Sequence, residues 1–158
     1  MNALITVLYD WPRVVTGYLA WIGPLAARFV VGWVFLWAGW HKLHDLTKVT
    51  GYFADWGFPA PQFMTPLVAG LEFAGGLLLL LGLLTRVVSI PMIIIMIVAI
   101  AMVKWKDVTS FLSLIGFEET AYLVMFGWLG LAGPGPVSLD HFILKAMRKE
   151  RPPSDYGS

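Results

Sequence analysis

The sequence predicts an all-α integral membrane protein: a four-helix bundle with short interfacial or amphipathic helices towards both termini. Three observations lead there. Hydrophobic residues fill 58% of the 158 positions, mean hydropathy is +0.75, and only 13% of residues are charged, about half of the roughly 25% found in soluble domains. Apolar runs of about twenty residues recur, the length that crosses a hydrocarbon core of about 30 Å. Turn residues and short aromatic loops separate these runs, and none of the connections is long enough to be a folded domain.

The same composition excludes several functions. A formal net charge of +1, with no basic face bearing interleaved aromatics, gives no reason to expect a nucleic-acid partner. There are no cysteines, so the chain itself has no disulfide or CxxC chemistry, no thiolate metal site and no covalent haem. A membrane thiol oxidase of the vitamin K reductase type is thereby ruled out. Of the three histidines, His41 and His44 sit one turn apart at a helix end and His141 falls in the tail. They cannot supply two axial haem ligands on facing helices. His41, His44 and Asp45 have permissive metal-ligand spacing but no fourth ligand, so no metal site is assigned.

Met1–Asp10 has neither a basic n-region nor a small-residue cleavage site and does not read as a signal peptide. Asp10 is a suitable N-cap for a short interfacial helix from about Trp11 to Trp21, ending at Gly23-Pro24. An unbroken helix from there to Leu43 would be roughly 48 Å long. The alternative is one long tilted helix kinked at Pro24. Residues 1–23 are thus an N-terminal segment, 24–140 a four-span domain and 141–158 an amphipathic helix and basic tail.

The first span, Pro24–Leu43, holds Arg28 near its start and closes on Trp37, Trp40, His41 and Lys42, an interfacial aromatic and basic group. Thr47–Gln62 reads as a loop, with Phe53, Trp56 and Phe58 laid over the bundle. The second span, about 66–84, ends in a tight turn at Thr85-Arg86. The third, about 87–103, is bent by Pro91; Met92 and Met96 within it are packing residues, since no His or Cys accompanies them. Lys104–Phe117 is an interfacial loop or short helix. The fourth span, Glu118 to about Ala132, covers roughly 22 Å and must borrow length from its flanks. Gly133-Pro134-Gly135 breaks it, Ser138-Leu139-Asp140 caps a last helix from His141 to about Lys149, and Arg151–Ser158 is expected to be disordered. No internal repeat is present.

Lys and Arg near span ends set orientation. Arg13, Arg86 and the tail cations Lys145, Arg148, Lys149 and Arg151 fall on one face. Lys42, Lys48, Lys104 and Lys106 fall on the other. The expected location is the plasma (inner) membrane, multi-pass, with both termini cytoplasmic.

Glu72 is the residue around which the chemistry is read. An ionisable group inside an apolar helix is costly and normally faces the bundle interior with a partner. Glu72 lies about 9 Å in from the outer face, and the stem of Lys42 can bring its ammonium to that depth. Gly39 and Gly75 would let the first and second helices approach there. The sequence therefore predicts an outward-facing polar pocket formed by Glu72, Lys42, His41 and Glu118 or Glu119, walled by Trp37, Trp40 and Phe73. Two readings stay open: Glu72 and Lys42 neutralise one another and pin helix register, or Glu72 accepts a proton beside a ligand cavity. At the other end, Arg28 and Asp140 are expected to form an ion pair that latches the last helix to the bundle, or Arg28 snorkels to lipid headgroups.

Three blocks carry a family resemblance: Arg28-Phe29-x-x-Gly32-x-x-Phe35-x-x-x-Gly39-x-x-Lys42-Leu43; Glu72-Phe73-x-Gly75-Gly76 with Gly82-x-x-Thr85-Arg86; and Gly133-Pro134-Gly135-x-x-Ser138-Leu139-Asp140. Tyr52-Phe53-x-x-x-Gly57-Phe58-Pro59 is a fourth, weaker one. In this order, over about 24–140, they resemble the DoxX family of small four-helix membrane proteins. The resemblance implies a membrane subunit of a quinone-linked oxidoreductase, and names membrane lipid and a protein partner in a redox complex as its surroundings. No cofactor is intrinsic to the chain; a bound quinone is the one the resemblance suggests, near Glu72 with His41 or Lys42. The competing reading is a non-catalytic membrane module that anchors a partner. A solute carrier would need a homo-oligomer to make room for transport.

Overall fold

The computed structural model describes Leu8 and residues 11–149, so the Asp10 cap and the tail from Arg151 lie outside the described residues. All regular structure among the described residues is helical. Helix α1 (Trp11–Leu19) and helix α2 (Ile22–His44) are separated by a turn at Ala20 and Trp21. Trp21 keeps helical dihedrals, φ −71° and ψ −23°, and the 29 residues from Thr16 to His44 make one apolar rod. The break expected at Gly23-Pro24 is absent. Pro24 occupies the first turn of α2, where its missing N–H removes no intrahelical bond.

The segment expected to be a loop at Thr47–Gln62 is largely helix α3 (Leu46–Asp55). It has no proline, and Asp45 (φ −131°, ψ 50°) separates it from α2. Buried Phe53 docks it, with the ring of Phe58 4.6 Å away. Only Trp56–Ala60 remains loop, and helix α4 (Pro61–Leu81) begins more than a turn before Pro66. Pro61 takes the first helical position, which suits its fixed φ. Gly82, at φ 66°, ends α4: its N–H reaches the Leu79 carbonyl and the Leu83 N–H reaches the Leu78 carbonyl, a Schellman closure.

Helix α5 (Thr85–Ala99) starts two residues earlier than the sequence predicts and continues through a wide turn at Ile100–Lys104 and a tight one at Trp105–Asp107. Helix α6 (Phe111–Ile115) is short and carries a reciprocal cap between Ser110 and Ser113. Helix α7 (Glu118–Ala132) ends at Gly133, whose φ of 85° suits only glycine. Helix α8 (Leu139–Lys149) follows, capped by the Ser138 hydroxyl, which accepts from the His141 N–H at 3.1 Å.

Three rods are long and apolar enough to cross a membrane: Thr16–His44, Pro61–Leu81 and Thr85–Asp107. Helix α7, about 22 Å long, packs on α5 and α2 as the fourth member of the bundle. The broadest pairings are α2 with α4 and α5 with α7. Val31, Phe35, Leu79, Val88, Met92, Met96, Phe126 and Leu129 form the buried centre, with the Phe35 ring edge-on to Tyr122 and Phe126 at 5.2 and 5.1 Å. Met92 and Met96 are thus core residues.

The α2–α4 pairing sets the site. A Cβ on Gly39 would lie 2.3 Å from the Phe73 nitrogen, and one on Gly76 2.3 Å from the Leu36 nitrogen. The two backbones touch at both crossings, which small residues alone permit. Gly76, not Gly75, is the partner of Gly39 in this approach; Gly75 instead faces the Met92 sulfur on α5. The two glycines are adjacent in sequence but about 100° apart around the helix, so they serve different neighbours.

Candidate functional site: a buried carboxylate between α2 and α4

Because α4 begins at Pro61, Glu72 is about 16 Å along it, near mid-helix and deeper than the sequence arithmetic implied. It shares a face with Thr65, Ala69, Gly76 and Leu79, all buried. Glu72 itself is 3% exposed. Lys42, one turn beyond Gly39 on α2, reaches it directly. Its Nζ donates to Oε1 and Oε2, both at 2.6 Å. The lysine side chain stays 31% exposed, so the pair has one buried end and one open end.

Close helix approach explains the geometry. With no side chain at Gly39, α2 lies against the backbone of Ala69 and Phe73, and a lysine three residues on can bend back to the next inward position of α4. A charge-assisted, two-oxygen contact of this kind is stronger than a neutral hydrogen bond, and an unpaired carboxylate at this depth would be strongly unfavourable. Trp40 and Phe73 meet across the same two helices, with ring centroids 5.9 Å apart.

The other residues expected in this pocket go elsewhere. His41 is exposed and its ring packs edge-on against Trp37 at 4.6 Å; Trp37 is itself exposed. Residues 37 and 41 are one helical turn apart on the outer side of α2, pointing away from α4. Glu119 approaches Lys104 at 4.0 Å, tying the start of α7 to the turn that extends α5, and Lys104 also sits 5.8 Å from the Phe117 ring centroid. The Nδ1 of His44 engages the Trp40 carbonyl at 2.9 Å. Among the described residues, no three His, Asp or Glu side chains are grouped as metal ligands.

At the opposite end of α2, Arg28 is 1% exposed. The direct ion pair expected between Arg28 and Asp140 is not formed. The Arg28 guanidinium donates instead to the Val137 and Pro24 carbonyls and fills the space left by Gly82, where a Cβ would collide with it. Asp140 turns to α5, accepting from the Leu84 N–H at 2.9 Å and the Thr85 N–H at 3.3 Å. The two free amides of a helix start compete successfully for a carboxylate. The start of the last helix is therefore fastened by the two residues separately, each to its own backbone partners.

Sequence reasoning missed the buried Thr65, the Leu84–Thr85 amides as the target of Asp140, and Val137 as the partner of Arg28. The i, i+7 spacing of Thr65 and Glu72 was a usable signal for the first. Backbone partners leave no trace in residue type.

The chain's residues 23–105 match the DoxX family model. It is 34% identical over 134 residues to the "Inner membrane protein YqjF" of Escherichia coli (strain K12), covering 78% of this chain and 94% of the relative. It is 34% identical over 150 residues to the "Uncharacterized membrane protein Rv3486" of Mycobacterium tuberculosis, covering 86% and 90%. It is 31% identical over 129 residues to the "Putative oxidoreductase CatD" of Bacillus subtilis, covering 80% and 91%. No solved structure matches the chain significantly.

Proposed function

The chain belongs to the DoxX family of membrane proteins, and from that premise we propose that it is a membrane subunit of a quinone-linked oxidoreductase, with Glu72 as proton acceptor at the quinone site. The observation that carries this reading is the half-open ion pair. A carboxylate 3% exposed is joined to a lysine that remains 31% exposed, so a proton or a polar ligand can be met at the lysine end. Buried ionisable groups inside membrane helices mark proton and ligand sites by default. The word oxidoreductase in one relative's name supports the same direction.

The donor set suits a quinone ring. The Lys42 ammonium can hydrogen-bond a carbonyl oxygen, and Trp40 and Phe73, paired across the same two helices, would offer aromatic surface. A bound quinone would supply the two-electron carrier that a chain without cysteines or a haem-ligand pair does not have. Lys42 would hold the ring's polar edge, Glu72 would hold the proton, and the tight α2–α4 contact would keep water from the carboxylate. His41, Trp37 and Glu119 have no part in this arrangement. Electrons would come from a partner protein in the same membrane complex. The plasma (inner) membrane is the proposed location, in keeping with the name of the Escherichia coli relative. Both termini are placed in the cytoplasm on the distribution of Lys and Arg.

One observation favours a second reading, a non-catalytic anchor or scaffold for a partner protein. Both Glu72 oxygens are already satisfied by Lys42, as a purely structural pair requires. Quinone extraction and quantification from gently solubilised protein separates the two. Near-stoichiometric quinone in the wild type, lost in an equally stable Glu72→Gln variant, supports the redox site. No quinone in either protein overturns it and leaves the scaffold reading.

A further inference from the structure

At the end of the bundle away from Lys42, two chain reversals meet beside the first turn of α2: Gly82–Leu84 between α4 and α5, and Gly133–Ser138 between α7 and α8. Helix α8 is held there firmly. The Asp140 N–H donates to the Gly82 carbonyl at 3.1 Å, its carboxylate caps α5, and Arg28 grips the Val137 carbonyl. Beside this junction lies a cleft of about 320 Å³, lined by Leu84, Arg86, Val87, Pro134, Asp140 and Leu144.

The lining is amphiphilic. Leu84, Val87 and Leu144 expose half or more of their surface. Arg86 is its one cation, and among the described residues it makes no ion pair or hydrogen bond. Its guanidinium rests on Gly133, where a Cβ would come within 3.1 Å of Nε. The Asp140 carboxylate, the one anion in the lining, is already engaged by two α5 amides, so Arg86 is the lining's charged group left without a partner among the described residues. Lys145 follows Leu144 on α8 and is likewise unpaired among the described residues.

Position decides what fits. The cleft sits where two membrane-length rods, Pro61–Leu81 and Thr85–Asp107, end and begin, which is the level of lipid headgroups. Helix α8 also exposes Phe142, Ile143 and Met147 on its apolar side, with Lys145 on the other. Such a helix lies in the interface plane, apolar side towards acyl chains and cations towards anionic headgroups. We propose that this cleft is a binding site for an anionic phospholipid, with Arg86 on the phosphate, Lys145 as the second cation, and an acyl chain along Val87 and Leu144.

The test is lipid retention by the full-length protein in non-ionic detergent, read by native mass spectrometry. Phosphatidylglycerol is compared with phosphatidylcholine, and glycerol phosphate serves as a soluble competitor. Wild type should prefer phosphatidylglycerol by about tenfold, the discrimination expected of one charge-assisted contact. Arg86→Gln should lose that preference, Arg86→Lys should keep most of it, and Lys145→Gln should weaken it with an unchanged melting temperature. Equal retention of the two lipids, or an unchanged preference in a folded Arg86→Gln protein, overturns the proposal. Equal competition by glycerol phosphate would also overturn it, in favour of a soluble phosphate ligand. If Arg86→Gln fails to fold, Lys145→Gln and the salt dependence of retention decide.

Discussion

Replacing Lys42 with methionine tests the central pair most directly. The substitution removes the ammonium that lies 2.6 Å from both Glu72 oxygens while keeping the length and apolar stem of the side chain. It strands a carboxylate that is 3% exposed. Breaking a fully buried pair from one side costs about 3–5 kcal/mol. Because Lys42 is 31% exposed, solvent relieves part of that penalty, and a loss of about 2–3 kcal/mol is expected. For a chain of this size that corresponds to a fall of roughly 5–10 °C in melting temperature. The double variant Lys42→Met with Glu72→Leu removes both charges and should return to within about 1 kcal/mol of wild type, since apolar replacements of buried pairs are often neutral. Thermal melting in one mild detergent reads wild type, Lys42→Met, Glu72→Leu and the double variant. If Lys42→Met melts with the wild type, the pair does not hold the α2–α4 contact. If the double variant loses as much as the sum of its single changes, the stranded-charge argument fails.

The glycine crossings give a second prediction: Gly39→Ala and Gly76→Ala each push a methyl into backbone 2.3 Å away, and each should cost about 3 kcal/mol, the upper part of the overpacking range. Gly70→Ala, with nothing within 4 Å of the added carbon, should be neutral or stabilise by about 0.5–1 kcal/mol, and equal melting of all three would refute the crossing. Asp140→Ala, which removes the acceptor for the Leu84 and Thr85 amides, should cost about 1 kcal/mol and hasten limited proteolysis at Lys145. The charge swap Arg28→Asp with Asp140→Arg should not rescue either single change, because an arginine cannot accept from the α5 amides. Rescue in the same melting assay would restore a direct Arg28–Asp140 pair.

Helices were legible where apolar length and chain breakers agreed. Glu118 and the Gly133-Pro134-Gly135 break bounded α7 correctly because its start and stop signals are local. Pro24 and Pro66 misled for one shared reason: proline marks a helix start as readily as a helix end, and only the neighbouring packing shows which. Thr47–Gln62 reads as loop on its polar and aromatic composition, yet Phe53 and α4 give Leu46–Asp55 a surface to fold against as helix. Within the candidate site, Glu72, Lys42, Trp40 and Phe73 are brought together, and His41, Trp37 and Glu119 are not. Residue type and depth nominated all of these, with Glu118 as the alternative to Glu119; helical phase and the crossing of α2 over α4 selected four.

The sequence by itself determined that this chain belongs in a bilayer, that it is helical, and that Glu72 needs a cation, because transfer free energies act on each residue whatever it touches. Lys42 was nominated for that place by its depth; tertiary structure alone decided how near it comes, 2.6 Å from both oxygens, and which other residues stand apart from the pair. That outcome depends on Gly39 and Gly76 letting two backbones meet, and on a competition at the other end in which helix-start amides, not Arg28, won the Asp140 carboxylate. Partner choice is a difference between alternative contacts, and the alternatives exist only once the helices are in place.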